Sequence, residues 1–201
     1  MPNPGRLREL LLPGVALLVI SAPGEARKTK HTAVAVERDG APVFLHTHLN
    51  NAAAAHLIKS GRIPGLEDAR FVRAEVKVGH SRFDFEIEQG GERRIVEVKS
   101  VTLFGQGVAM FPDAVTDRGR RHLLELAEMG SRRRKHVALF LVHTPGVRYF
   151  VPDYHTDLAF SRTLYEVRKK VDVLALSLDW TAKLRMRKRV SPLRIPWEVF
   201  P

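Results

Sequence analysis

Six consecutive apolar residues, Val137-Ala138-Leu139-Phe140-Leu141-Val142, run between His136 and His143. A strand with apolar side chains at every position has no face to give to water, so its sheet needs cover on both sides, and helices provide it. Two such helices are predicted. One, of about a dozen residues after Thr116, turns Leu123, Leu124, Leu126 and Ala127 inward and stops at Gly130. The other runs from about Asp157 to Lys170, burying Leu158, Leu164 and Val167, before Val171 to Leu178 returns as a strand.

Upstream, Asn50 or Asn51 is placed to cap a helix through Ala52 to Ala55, Leu57 and Ile58 that ends at Ser60-Gly61. Phe71 to Val78, Arg82 to Glu88 and Arg94 to Val101 read as strands, punctuated by Gly79 and by Gln89-Gly90-Gly91. Leu103 to Thr116 reads as a glycine-bearing loop, and Thr181 to Pro201 as a basic tail packed loosely over the core or against nucleic acid, with a solvated basic surface strand as the competing reading. The order helix, three strands, helix, strand, helix, strand indicates an α/β fold with a mixed sheet flanked by helices. Residues 1–45 differ in kind: Val15 to Ser21 is apolar, His31 to Arg38 alternates through Thr32, Val34 and Val36, and Asp39-Gly40 turns into a third short strand. Three short strands cannot close a barrel, so this segment is expected to form a small, partial β domain that leans on residues 46–201 or on a partner.

The hairpin Arg82 to Val101 carries the chemistry. With its turn centred on Gly90-Gly91, cross-strand partners have residue numbers of constant sum: Gln89 faces Glu92, Asp84 faces Glu97 and Arg82 faces Lys99. Directly opposed β-carbons lie about 5 Å apart, close enough for one divalent cation to touch both carboxylates. Alternation places Phe83, Phe85 and Ile87 opposite Asp84, and Val96 and Val98 opposite Glu97 and Lys99, which predicts one apolar and one polar hairpin face. Asp84 and Glu97 are therefore the candidate metal ligands, and Asp84, Glu97 and Lys99 the candidate catalytic set. An ammonium beside two carboxylates can orient an attacking water or stabilise phosphorane charge. Glu75, on the preceding strand, is a candidate third carboxylate. Arg118 and His122, four residues apart on the following helix, share a face from which both can reach a phosphate at the metal site.

Cysteine is absent, so a metal must take oxygen or imidazole ligands, and magnesium or manganese is the expected cofactor. The 33 Lys and Arg against 22 Asp and Glu leave a net charge of +11, which points to a polyanionic partner, nucleic acid first. Two clusters, Arg27-Lys28-Thr29-Lys30 and Arg132-Arg133-Arg134-Lys135, are the candidate DNA contacts; a solvated basic surface is the competing reading. No apolar run approaches the about 18 residues of a membrane-spanning helix, and Met1-Pro2-Asn3-Pro4-Gly5 does not begin a secretory signal, so cytoplasmic residence away from membranes is expected.

Four stretches resemble one family: Glu75-Val76-Lys77-Val78-Gly79, Ser81-Arg82-Phe83-Asp84-Phe85, Glu97-Val98-Lys99-Ser100-Val101-Thr102-Leu103, and Phe111-Pro112-Asp113-Ala114-Val115-Thr116-Asp117-Arg118-Gly119. In that order they are similar to the bacterial and archaeal sugar fermentation stimulation protein family, across nearly the whole chain. The resemblance implies a DNA-binding protein that pairs an OB-like N-terminal domain with a restriction-endonuclease-like, PD-(D/E)xK core. It also makes Asp84, Glu97 and Lys99 the counterparts of that superfamily's aspartate, glutamate and lysine. The family ordinarily has some tens of residues before the motif at Pro2-Asn3-Pro4-Gly5-Arg6-Leu7, so the OB-like domain is expected to be truncated here. Two activities follow as expectations. One is a metal-dependent endonuclease on DNA without strong sequence specificity, for which a homodimer would cut two strands. The other is a DNA-binding regulator that keeps the nuclease fold without cleaving. A non-catalytic or RNA-associated factor stays open as a third class.

Overall fold

The computed structural model describes residues 7, 9–21, 29–131 and 134–200. In chain order the elements are β1 (Leu17–Ser21), β2 (His31–Arg38), β3 (Ala41–Phe44), α1 (Thr47–Lys59), β4 (Arg70–Val78), β5 (Ser81–Gln89), β6 (Glu92–Val101), β7 (Leu103–Gly105), β8 (Val108–Phe111), α2 (Asp117–Met129), β9 (His136–Val142), β10 (Tyr149–Pro152), α3 (Leu158–Val167), β11 (Val171–Trp180) and β12 (Met186–Pro192). Six strands form a mixed sheet in the order β12-β11-β9-β6-β5-β4. The wholly apolar run became β9, buried at all seven positions, and it pairs in parallel with β6 and β11.

Alternation along β9 divides the core. Val137, Leu139 and Leu141 pack with Phe85, Ile87, Val96 and Val98 against Ala53, Ala54, Leu57 and Ile58 of α1. Ala138, Phe140 and Val142 face the other way, with Ile95 and Val101, onto Leu123 and Leu126 of α2 and Phe160 and Leu164 of α3. Each fully buried Leu, Val or Phe here contributes about 1.5–3 kcal/mol relative to exposure.

Local signals set the helix ends. Gly61, at φ +61°, ends α1 in a Schellman motif: its N–H donates to Ile58 O at 3.1 Å and that of Arg62 to Leu57 O at 3.0 Å. Thr116 Oγ1 accepts from Gly119 N to start α2, and Asp157 caps α3 while also accepting from Thr116 N at 2.8 Å. One carboxylate thus ties together the starts of both helices.

Several expectations are corrected. Helix α1 begins at Thr47, so Asn50 and Asn51 lie inside it and cap nothing. Leu124 and Leu158 are 37% and 47% exposed rather than inward-facing. The loop after Leu103 holds the hairpin β7-β8, and β8 pairs in parallel with β10, a partner about 40 residues away that local glycine signals cannot announce. Of the two readings of the basic tail, the surface strand is the one found over Met186–Pro192, where β12 forms an edge strand antiparallel to β11 and Arg62 donates to the carbonyls of Arg187 and Lys188.

The N-terminal strands form a separate sheet, β1-β2-β3, whose Phe44 joins the α1 side of the main core and stacks on Trp180 with ring centroids 4.3 Å apart. Among the described residues no helix is long and apolar enough to cross a membrane. Because Phe44 is only 4% exposed, Phe44→Ala is expected to cost about 3–5 kcal/mol, measured as a lower urea midpoint.

Candidate active site

The ladder between β5 and β6 has the register that the Gly90-Gly91 turn predicts, from Gln89↔Glu92 to Phe85↔Val96, and there it ends. From Val96 to Val101 strand β6 pairs with β9 on its other side. Asp84 and Glu97 would be the next rung. Instead the Asp84 carboxylate reaches across: Oδ2 accepts from the backbone N–H of Val98 at 2.7 Å, and Oδ1 accepts from Asn51 Nδ2 of α1 at 2.7 Å. A side chain therefore takes the place of the strand partner that Val98 would otherwise lack. Arg82 does not sit opposite Lys99; it pairs with Lys77 of β4.

Glu97 projects to the α2 side of the sheet, between Ile95 and Val101, and is 4% exposed. Its Oε1 accepts from Lys99 Nζ at 2.5 Å and from His122 Nδ1 at 2.7 Å. Its buried Oε2 has no hydrogen-bond partner among the described residues. The expectation of a wet hairpin face is thus corrected, because α2 closes over the glutamate. The expected apolar face is also split: Phe85 and Ile87 pack on the α1 side, whereas Phe83 lies beyond the end of the ladder and packs on the α2 side, 5.0 Å from the His122 ring.

The two carboxyls are tuned in opposite directions. Burial, then the nearby Glu97 charge, push Asp84 up from 3.8 to about 6, against the Val98 N–H, Lys99 and Asn51. Burial also acts to raise Glu97, but the His122 hydrogen bond and the Lys99 charge outweigh it and hold this carboxyl below its ordinary value. Since Glu97 stays ionised, it can only accept, so His122 Nδ1 is the donor. Asp84 therefore contributes stability that is full below about pH 4 and is lost as pH rises through about 6, a total near 3 kcal/mol. Glu97 has the reverse sign: its contribution is present above the ordinary glutamate range and is lost on acidification. With metal chelated, Asp84→Asn should be more stable than the parent at pH 8, by up to about 3 kcal/mol, with the gain shrinking toward pH 5. Glu97→Gln should be less stable at pH 8; urea denaturation at both pH values reads both signs.

The remaining predicted residues separate. His122, 1% exposed, is turned inward to Glu97 instead of outward to a phosphate. Arg118 lies exposed on α2. Glu75, at φ +54°, is an exposed residue of β4 3.7 Å from Arg82 in an ion pair, and the charges that shift Asp84 are Glu97 and Lys99. Lys135 pairs with Asp172 at 3.6 Å and its carbonyl accepts from Arg94, while Arg134 donates to Met129 O. These two basic residues close the end of the sheet near the Gly90-Gly91 turn and do not join the carboxylates. Lys30 is exposed beside β2; Arg27, Lys28, Arg132 and Arg133 lie outside the described residues.

The residue that sequence reading misplaced is Asn51, taken as a cap and found bonded to Asp84. The available signal was an Asn pair followed by four alanines, where asparagine is a poorer helix former than the alanines beside it.

Comparison with known proteins agrees with this architecture. Residues 48–184 match the family model described as the sugar fermentation stimulation protein RE domain, and residues 1–45 match the SfsA N-terminal OB domain. The chain is 36% identical over 193 residues to a sugar fermentation stimulation protein homolog of Methanothermobacter thermautotrophicus, covering 96% of this chain and 80% of that protein. It is 34% identical over 181 residues to a homolog from Clostridium tetani, covering 89% of this chain and 79% of that protein. A solved structure described as Pyrococcus furiosus SfsA in complex with Ca2+ superposes with a TM-score of 0.87 at 29% identity, covering 96% of this chain and 83% of that one.

Proposed function

This chain belongs to the sugar fermentation stimulation protein family, and on that premise we propose that it binds DNA and hydrolyses phosphodiester bonds at Asp84, Glu97 and Lys99 with magnesium or manganese. One observation carries the reading: two carboxylates and a lysine gather where β5 and β6 part, with Glu97 Oε2 unpartnered among the described residues and Asp84 pushed up partly by Glu97. A buried carboxyl whose proton affinity is raised by an ionised carboxylate beside it is short of positive charge.

The donor set fits a hard divalent cation. Asp84 and Glu97 offer oxygen only, and magnesium ordinarily takes one or two protein carboxylates and completes its shell with water and phosphate oxygens. Asp84 and Glu97 would hold it, with no group of three His, Cys, Asp or Glu assembled for a metal among the described residues. The Pyrococcus furiosus protein is described in complex with Ca2+, an ion of the same oxygen-seeking class, which supports this choice. When bound, such a cation polarises phosphoryl oxygens and acidifies water. The chain's own groups do the rest. His122 and Lys99 fix Oε1 of Glu97 and leave Oε2 free to accept. The Lys99 ammonium, 16% exposed, places positive charge where phosphorane charge develops.

DNA is the polyanion favoured by the +11 charge, by exposed Lys30 and Arg118, and by the OB match. Contacts of this kind read the backbone and carry no strong sequence preference. A binding protein that retains the site without cutting is the second reading. It is favoured by Lys99 being closed onto Glu97, an ion pair that must open before the lysine can serve a substrate.

Supercoiled plasmid is expected to be nicked with Mg2+ or Mn2+, and Asp84→Ala or Lys99→Ala to lower the rate by about 100-fold or more. Cleavage at parental rate in either variant overturns the assignment. Salt-sensitive binding with no cleavage under either cation selects the second reading.

A further inference from the structure

We infer that Asn51 is a positioning residue for Asp84, and that the buried Asn50–His143–Trp180 contacts hold α1 in place for that role. The inference deepens the proposed reading of the site and rests on it for its functional meaning.

The ladder ends one residue short of Asp84, so strand pairing with β6 does not orient its carboxylate. Two hydrogen bonds do, one at each oxygen, from Val98 N and from Asn51 Nδ2, both at 2.7 Å. With Val98 alone, the carboxylate keeps one anchored oxygen and remains able to swing about the bond that joins it to Cβ. The bond from α1 removes that freedom. Asn51 sits in the first half of a helix that continues through Ala52 to Ala55, where alanine would be the better helix former by about 0.5 kcal/mol. Local helix formation therefore gives no reason for asparagine at 51, while the Asp84 contact does.

Helical residues one position apart point about 100° from each other, so Asn50 and Asn51 serve different neighbours. Asn50 is 4% exposed, and its Oδ1 accepts from His143 Nε2 at 2.7 Å. His143, 1% exposed, in turn accepts at Nδ1 from Trp180 Nε1 at 3.2 Å, which fixes the neutral tautomer with its proton on Nε2. Trp180 stacks on Phe44 of β3. Together these contacts tie the first half of α1 to the far ends of β9 and β11 and to the N-terminal sheet. A helix fixed through Asn50 can present Asn51 to Asp84 at one height and one rotation.

Residues that hold a metal ligand in place typically change affinity by about 10- to 100-fold when removed. The test uses the full chain with Asn51→Ala and Asn51→Asp, reading Mn2+ affinity by calorimetry and hydrogen exchange of the Val98 amide, with the Val96 amide as internal reference. Asn51→Ala is expected to weaken Mn2+ binding at least about tenfold and to speed Val98 exchange without changing Val96. Asn51→Asp, which sets a third carboxylate beside Asp84, is expected to tighten Mn2+ binding. A merely structural residue would not move the two variants in opposite directions. Parental Val98 exchange and parental Mn2+ affinity in Asn51→Ala overturn the inference. If the parent itself takes up no Mn2+, the proposed function falls, and Val98 exchange alone decides whether Asn51 positions Asp84.

Discussion

The hydrogen bond from the Val98 amide to Asp84 lies where β6 changes partners within the main sheet. Strand β6 is antiparallel to β5 as far as Val96 and parallel to β9 from Val96 onward. A strand that turns from one neighbour to another leaves amides without partners, and a buried unpaired amide costs about 1–3 kcal/mol. Here a carboxylate fills the gap. The same separation that makes the backbone need an acceptor also opens room between β5 and β6 for charged side chains, so the strand geometry and the site are one feature.

Burial then gives the two acids different characters. Glu97 lies under α2 with a histidine and a lysine on one oxygen, and stays ionised inside the core. Asp84 holds its proton to about pH 6 because it is buried and lies near the Glu97 charge, against the pull of the Val98 N–H, Lys99 and Asn51. A buried pair of acids with, among the described residues, one lysine and one histidine bonded to them is costly for stability unless a further positive charge arrives. That cost is of the sort proteins sustain at sites of binding and chemistry. It also explains why His122 is buried: an exposed imidazole could not offset the desolvation of Glu97.

Elements defined by short-range pattern were legible in the sequence. Strand β9 followed from six apolar residues in a row, α1 ended where Ser60-Gly61 said it would, and the Gly90-Gly91 turn gave the register of Phe85 to Gln89 against Glu92 to Val96. Those signals act within a few residues, where steric and hydrogen-bonding rules are strong. The β8-β10 pairing and the inward turn of His122 were not legible, since each depends on a partner 25 or more residues away. Asn51 was misread for the same reason: an asparagine near a helix start looks like a cap until the neighbouring strand is in place.

By itself, then, the sequence determined which residue types were available for chemistry: two acids and a lysine on one hairpin, no cysteine, and an excess of positive charge. Family motifs at the same positions pointed to the same three side chains. Only the tertiary structure decided how they meet. Period-two counting assumes that a ladder continues, and it placed Asp84 and Glu97 as opposed residues on a wet face. The sheet instead has to serve β9 as well as β5, so the ladder stops at Phe85, Asp84 turns to a backbone amide and to α1, and α2 covers Glu97. Competition between two strand partners for β6 is a property of the whole sheet, which no local pattern encodes.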